Sequence, residues 1–181
     1  MLHKEEKTIV KASVIDILSN LENPKQYEDL FVNFTKEMSY AVSGSGLDAL
    51  IKTNEKKALS IARKFENSAK NELEEAIMRV YSLLGEEQEE EYFSNKLKKS
   101  SNYDLYITAA FFTQYLKNQK MEVALRGAPK IIEATKNGPS WAGEYFVKMV
   151  EHIAKHHINQ SENPKKAEEQ FNEILKKENK L

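Results

Sequence analysis

The chain has 181 residues, which fits one domain or one long helical array. Its 27 basic and 28 acidic residues leave a net charge of −1, so charge gives no reason to expect nucleic acid or an anionic membrane as a partner. Cysteine is absent, which excludes disulfides and thiolate chemistry. The first residues lack the apolar core of a signal peptide, and no apolar run approaches the ~20 residues of a membrane span. As the chain stands, we expect a cytoplasmic protein with no membrane partner.

Helical periodicity begins near the N-terminus. A helix is expected over about residues 5–20, and Asn23-Pro24 is a typical start for a second one. That second helix should end before Gly44-Ser45-Gly46, and a short helix should follow over about 47–52. The inward stripe that we assign to the first helix is Val10, Val14, Ile17, Leu18 and Leu21.

The middle of the chain continues the pattern. Helices are expected over about 54–66 and about 70–84, with Gly85 as a left-handed C-cap of the second. The glutamate run at 86–91 precedes several lysines. We interpret it as the start of another helix, because acid at the N-terminus and base at the C-terminus both favour the helix dipole.

The last third contains the most apolar segment, about 103–116, which we expect to lie centrally because a helix apolar nearly all round is buried. The next helix, about 120–136, should be kinked or split at Gly127-Ala128-Pro129. Asn137-Gly138-Pro139 is a strong stop signal. Two further helices are expected over about 140–158 and 164–178.

These elements predict an all-α fold of about ten helices. Loops of a few residues favour antiparallel neighbours, hence helical hairpins stacked side by side. The hairpins recur at roughly 30–35 residues, a length that suits an α-solenoid, although the sequence contains no consensus repeat. We therefore treat residues 1–181 as a single helical-repeat domain.

Histidine offers the sharpest candidate for a metal site. His152 and His156 are four residues apart, so both imidazoles project from one helix face at a spacing that suits zinc. A zinc-protease helix needs Glu directly after the first His, and here that residue is Ile153. No acidic third ligand is identifiable, so we assign no metal site. We interpret the cluster as one histidine at a buried edge and two in solvent.

Other motifs carry no recognisable chemistry. Gly44-Ser45-Gly46 is not followed by the Lys-Ser/Thr of a phosphate loop, and the glutamates have the pattern of solvated helix faces. No nucleophile elbow occurs. Tyr103, Tyr106, Phe111, Phe112 and Tyr115 are interpreted as core rather than as base-stacking residues.

Three stretches together resemble the C-terminal helical domain of aminopeptidase-N-like zinc metallopeptidases. The first is Ser39–Leu50, with its Ser-Tyr, small residues and Ala-Leu, continued by Ala58–Glu66. The others are Ala76–Gly85 with Tyr92-Phe93, and Tyr103–Leu116 with Asn137–Trp141. They occur in the family's order and span about residues 27–157.

The resemblance implies a HEAT-like right-handed superhelix, an α-solenoid, that packs on a catalytic domain and shapes substrate access. The family's Gly-x-Met-Glu-Asn run and His-Glu-x-x-His zinc helix do not occur in this sequence, so no catalytic residue is carried over. Zinc is implied only for that missing catalytic domain, which is the expected partner, and no cofactor is expected in this chain. Gly44-Ser45-Gly46 departs from the family's more usual Ala-rich join.

Two alternatives stay open beside this hypothesis. The chain is a stand-alone HEAT/TPR-like adaptor that binds a peptide or protein, with Tyr40, Trp141 and Tyr145 as candidate contacts. Or it is a small metalloenzyme built on His152 and His156. We expect no enzymatic activity from the chain on its own.

Overall fold

A computed structural model describes residues 2–139 and 141–176. Within these residues the chain forms ten α-helices and two short 3₁₀ helices, with no β-strand. The predicted all-α class and the expected number of helices are therefore confirmed. The chain divides into two compact units, one ending at Leu84 and the other beginning at Gly85. The single domain and the superhelix stay predictions.

The first unit contains five α-helices and one 3₁₀ helix, Pro24–Tyr27. The α-helices are α1 (Leu2–Ser19), α2 (Glu28–Phe34), α3 (Tyr40–Thr53), α4 (Glu55–Phe65) and α5 (Asn71–Leu84).

The second unit also contains five α-helices and one 3₁₀ helix, Ala134–Asn137. The α-helices are α6 (Glu89–Lys99), α7 (Asn102–Asn118), α8 (Met121–Glu133), α9 (Ala142–Gln160) and α10 (Pro164–Lys176). The predicted end of the last helix and the predicted start of the helix at Ser140 lie outside the described residues.

Helix α3 is the centre of the first unit, where it packs against α1, α2, α4 and α5. It runs unbroken through Gly44-Ser45-Gly46, so the predicted helix end before this run was wrong. The helix begins instead at Tyr40, and the hydroxyl of the preceding N-cap residue, Ser39, accepts a hydrogen bond from the Val42 amide at 3.5 Å. This cap, together with the extended backbone of Ser39, separates α3 from α2.

The two glycines inside α3 are explained by its neighbours. A Cβ at Gly44 would lie 2.8 Å from the carbonyl oxygen of Glu72 in α5. A Cβ at Gly46 would lie 3.0 Å from the carbonyl oxygen of Phe31 in α2. Glycine costs a helix interior about 1 kcal/mol relative to alanine, so its presence here reflects close packing of backbones. The close backbone approach that we expected at this run is confirmed. The glycines that allow it lie inside helix α3, however, and not in a join between two helices.

The face of helix α1 that packs against the rest of the first unit is not the face that we predicted. Within residues 7–19 of α1, Ile15 and Ser19 are buried, whereas Val10, Val14 and Ile17 of the predicted inward stripe are 60%, 43% and 63% exposed. The helix has apolar residues on two sides. Periodicity locates apolar faces, but it does not say which of two faces meets the rest of the unit.

Helix α7, which we expected to lie centrally, packs against α6, α8 and α9, whereas α8 contacts all four other helices of the second unit. Phe112 stacks on Phe93 of α6 at 5.3 Å between ring centroids. The Tyr115 hydroxyl donates to the Glu86 carbonyl at 2.7 Å. The described glycines all have ordinary φ angles, so the left-handed cap predicted at Gly85 was wrong. Its carbonyl accepts a hydrogen bond from Gln119 instead.

Helix α8 is not split at Gly127-Ala128-Pro129, contrary to one of the two predicted outcomes. Burial on both sides of the proline, at Ala128 and Ile131, offsets the hydrogen bond that Pro129 cannot make. Helix α8 is also tied to α6. The Glu90 carboxylate, buried on α6, accepts hydrogen bonds from Arg126 at 2.7 Å and Lys130 at 2.6 Å.

Because the Gly44 backbone meets the Glu72 carbonyl, we expect Gly44→Ala to lower the free energy of unfolding by about 1–3 kcal/mol, the usual cost of overpacking. Gly143 in α9 is the matched control, since a Cβ at this position would have no atom within 4 Å. Gly143→Ala should leave stability unchanged or raise it by up to about 1 kcal/mol. Urea unfolding followed by circular dichroism measures both. Equal effects of the two substitutions would contradict the packing explanation.

Candidate interaction surface

Three aromatic side chains of the second unit form one cluster. Tyr106 comes from α7, Tyr145 from α9, and Trp141 from the residue that precedes α9. Their ring centroids lie 6.0 Å apart for Tyr106–Trp141, 6.0 Å for Tyr106–Tyr145 and 5.9 Å for Trp141–Tyr145. We call these three residues the aromatic cluster.

Local sequence explains how the cluster is assembled. The Asn137-Gly138-Pro139 stop ends the 3₁₀ helix, and the Ala142 amide then donates to the Pro139 carbonyl at 2.8 Å as α9 begins. Trp141 and Tyr145 are four residues apart, so they lie on the same side of the chain one turn apart. The neighbouring Phe146 is fully buried, which directs Tyr145 outwards.

Exposure distinguishes this cluster from the core aromatics. Trp141 and Tyr145 are each 50% exposed, although they contact one another and Tyr106. Two of the three rings therefore remain partly in water after all their internal contacts are made. Aromatic residues in this position offer large contact areas at a small cost in conformational entropy.

The charges beside the cluster are paired. The Lys148 ammonium lies 5.9 Å from the Tyr145 ring centroid and donates to the Glu144 carboxylate at 2.6 Å. That hydrogen bond raises the pKa of Lys148 and lowers the pKa of Glu144. Both side chains are well exposed, so the pair is worth little in stability. The surface thus offers aromatic faces beside a neutralised charge pair.

The interpretation of all five aromatics of α7 as core was only partly right. Phe112 and Tyr115 are fully buried, but Tyr106 belongs to the cluster and Tyr103 is 67% exposed. Tyr103 and Tyr106 are three residues apart near the start of α7. That spacing is the signal that the two tyrosines share a side of the helix different from that of Leu105 and Phe112.

The three candidate contact residues do not all lie in one unit. Trp141 and Tyr145 belong to the second unit and to the aromatic cluster. Tyr40 is the first residue of α3 in the first unit, where it is half-buried. We therefore describe Tyr40 separately and do not include it in the cluster.

The histidines of α9 lie in three different environments. His152 is exposed, His156 is half-buried, and His157 is buried. The His156 ring lies edge-on to the His157 ring at 5.4 Å. In the part of the chain that the structure describes, no group of three or more His, Asp or Glu side chains is placed to hold a metal ion. The side chain of His3 lies outside the described residues.

His157 has a structural role. Its Nε2 lies 2.9 Å from the Leu116 carbonyl oxygen, and its ring stacks on Phe171 at 6.1 Å. Burial lowers the pKa of His157, and the contact with the Leu116 carbonyl only partly offsets this effect. His157 therefore joins α7, α9 and α10 as a neutral side chain.

Comparison of the sequence with models of protein families, with curated proteins and with solved structures finds no match in any of the three. None of the helices in the described ranges is long and apolar enough to cross a membrane.

The lowered pKa of His157 predicts a pH dependence of stability. In the unfolded chain this histidine titrates near 6.5, so below that pH the unfolded state binds more protons than the folded state. The stability that neutral His157 contributes is therefore fully present above about pH 6.5, and it is lost as the pH falls from there towards the pKa of His157 in the folded state. Urea unfolding at several pH values, followed by Trp141 fluorescence, measures this change.

Two variants isolate the contribution of His157. His157→Gln keeps a donor for the Leu116 carbonyl but cannot become charged, so its stability should fall less steeply below pH 6.5 than that of the parent. His152→Gln, at an exposed position on the same helix, should retain the parent's slope. A His157→Gln variant with the parent's pH dependence would show that this histidine is not the titrating group.

Proposed function

We propose that this chain is a non-catalytic helical module that binds another protein, and that the aromatic cluster is a contact surface for that partner. The observation that carries the proposal is the half-exposure of Trp141 and Tyr145. Tryptophan and tyrosine are enriched among the residues that dominate binding energies at protein interfaces. The neighbouring Lys148–Glu144 pair adds no strong charge of either sign.

The chemistry of the rings limits what the partner presents. Aromatic faces bind apolar side chains by burial, proline rings by stacking, and Lys or Arg by attraction to the ring quadrupole. A partner segment with one such side chain, flanked by groups that hydrogen-bond to Tyr145 or Trp141 at their polar edges, fits the cluster. Acidic segments gain nothing comparable from it.

The resemblance to the C-terminal domain of zinc aminopeptidases supplies a specific form of this proposal. In that form the partner is a catalytic domain, which holds the zinc, and the present chain shapes access to it. The all-α architecture and the short loops between its helices support this form. An adaptor that binds a separate peptide uses the same surface and is the second form.

Trp141 provides a direct test, because it is the only tryptophan in the chain. Short peptides of three kinds, proline-rich, leucine-rich and arginine-rich, are titrated into the full chain while Trp141 emission is recorded. We expect at least one kind to shift the emission saturably. Tyr145→Ala should weaken that binding by about 30-fold, corresponding to the ~2 kcal/mol typical of an interface hot spot.

Met38→Ala is the control for this experiment, since Met38 is 96% exposed but lies in the first unit rather than in the cluster. It should bind as the parent does. Absence of any emission change with all three peptides, or equal binding by Tyr145→Ala, would contradict the proposed surface.

A separate assay addresses catalysis. Purified chain supplied with zinc should release no coloured amine from an aminoacyl anilide. Release of the amine, and its loss in His152→Ala or His156→Ala, would favour the metalloenzyme alternative over a binding module.

A further inference from the structure

The chain places one of its own cations against the aromatic cluster. The Lys148 ammonium lies 5.9 Å from the centroid of the Tyr145 ring, within the ~6 Å over which a ring face attracts a cation. The same ammonium donates to the Glu144 carboxylate at 2.6 Å. A ring and a carboxylate of one helix therefore define a position that a positive charge already occupies. We call this position the Tyr145–Glu144 site.

The surroundings of the Tyr145–Glu144 site favour a positive charge. The hydrogen bond to Glu144 is the main reason why the pKa of Lys148 is raised, and the negative charge of Glu151 adds to the effect. A cation brought from outside meets the same two carboxylates. An anionic or purely apolar side chain gains nothing from them.

Lys148 is held at the site only weakly. Its side chain is 62% exposed and that of Glu144 is 77% exposed. Exposed ion pairs contribute little to stability, because water solvates both charges and salt screens them. The distance from the ammonium to the Tyr145 ring is also at the outer limit of the attraction. Moving the Lys148 side chain into water therefore costs little.

An arginine side chain suits the site better than the lysine that it holds. A guanidinium is planar, stacks on an aromatic face and donates two parallel hydrogen bonds to a carboxylate. Trp141 stands at 82° to Tyr145, with 5.9 Å between the ring centroids, so the two rings make a corner rather than a flat platform. The apolar stem of an arginine lies along such a corner while its charged end reaches Glu144.

We infer that the Tyr145–Glu144 site binds an arginine side chain of a partner protein, and that Lys148 is an internal competitor which the arginine displaces. The partner is that of the proposed function, on which this inference rests, and the segment that it presents is basic. In the bound state the guanidinium stacks on Tyr145 and donates to Glu144, and the Lys148 ammonium lies in solvent. No charge is left buried without a partner by this exchange.

Titration of two matched peptides into the full chain tests the inference, with Trp141 emission as the readout. One is the arginine-rich peptide, and the other has citrulline at each arginine, which keeps the shape of the side chain and removes its charge. An ionic strength of about 0.15 M screens exposed charges more than ~8 Å apart. We expect the arginine-rich peptide to bind about tenfold more tightly, the effect of one charge-assisted hydrogen bond. Equal binding of the two peptides would overturn the inference.

Substitutions of the two charged residues at the site should act in opposite directions. Glu144→Gln removes the acceptor and should weaken binding of the arginine-rich peptide by about tenfold. Lys148→Gln removes the competitor and should strengthen that binding by about threefold, as expected for an exposed pair. Circular dichroism confirms that each variant is folded.

Lys155→Gln is the matched control, since it makes the same change of charge at another exposed position of α9. It should bind the arginine-rich peptide as the parent does. A Lys148→Gln variant that binds no more tightly than the parent, or an equal gain in Lys155→Gln, would show that Lys148 is not a competitor at this site.

The three kinds of peptide distinguish a failure of this inference from a failure of the proposed function. Binding of the leucine-rich or proline-rich peptide, without binding of the arginine-rich one, would keep the aromatic cluster as a contact surface and exclude arginine as its ligand. Absence of binding by all three would contradict both.

Discussion

The packing of the first unit depends on how closely the backbones of helices α3 and α5 approach each other. At Gly44 the helix α3 lies against the Glu72 carbonyl of α5, with no room for a side chain between them. This contact allows α3 to run through the middle of the unit and touch all four other helices. The arrangement is reinforced at its edge, where Arg79 of α5 forms an ion pair with Asp48 of α3. A larger residue at position 44 would separate the two helices along their whole contact.

Much of this fold could be predicted from the sequence because caps and apolar periods are local signals. The starts at Pro24 and Pro164 and the stop at Asn137-Gly138-Pro139 all lie where the residues indicate. The errors arose where tertiary contacts outweigh local preference. Gly44 and Gly46 suggest a break when considered alone, and become favourable helix residues only once α2 and α5 lie against them. Val10 and Val14 suggest a core face because periodicity does not identify which face is covered.

The aromatic cluster could be predicted in part for a similar reason. Trp141 and Tyr145 stand beside a helix stop and next to a buried phenylalanine, so their exposure follows from local sequence. Tyr106 was assigned to the core because it lies in the most apolar helix. Its contacts with Trp141 and Tyr145 join segments that are separated in sequence, and no local pattern contains that information. The environments of the α9 histidines also depend on distant partners, since His157 meets Leu116 and Phe171.

The buried carboxylate of Glu90 has a consequence for the order in which the chain folds during its synthesis. Burial alone would raise the pKa of Glu90, but hydrogen bonds from Arg126 and Lys130 outweigh it and hold that pKa below its ordinary value. These two cations lie 36 and 40 residues further along the chain. Until α8 leaves the ribosome, Glu90 has neither of them, and burying its charge is unfavourable. We therefore expect the second unit to close around α6 only after α8 has emerged, whereas the first unit has all its helices available as soon as α5 has emerged.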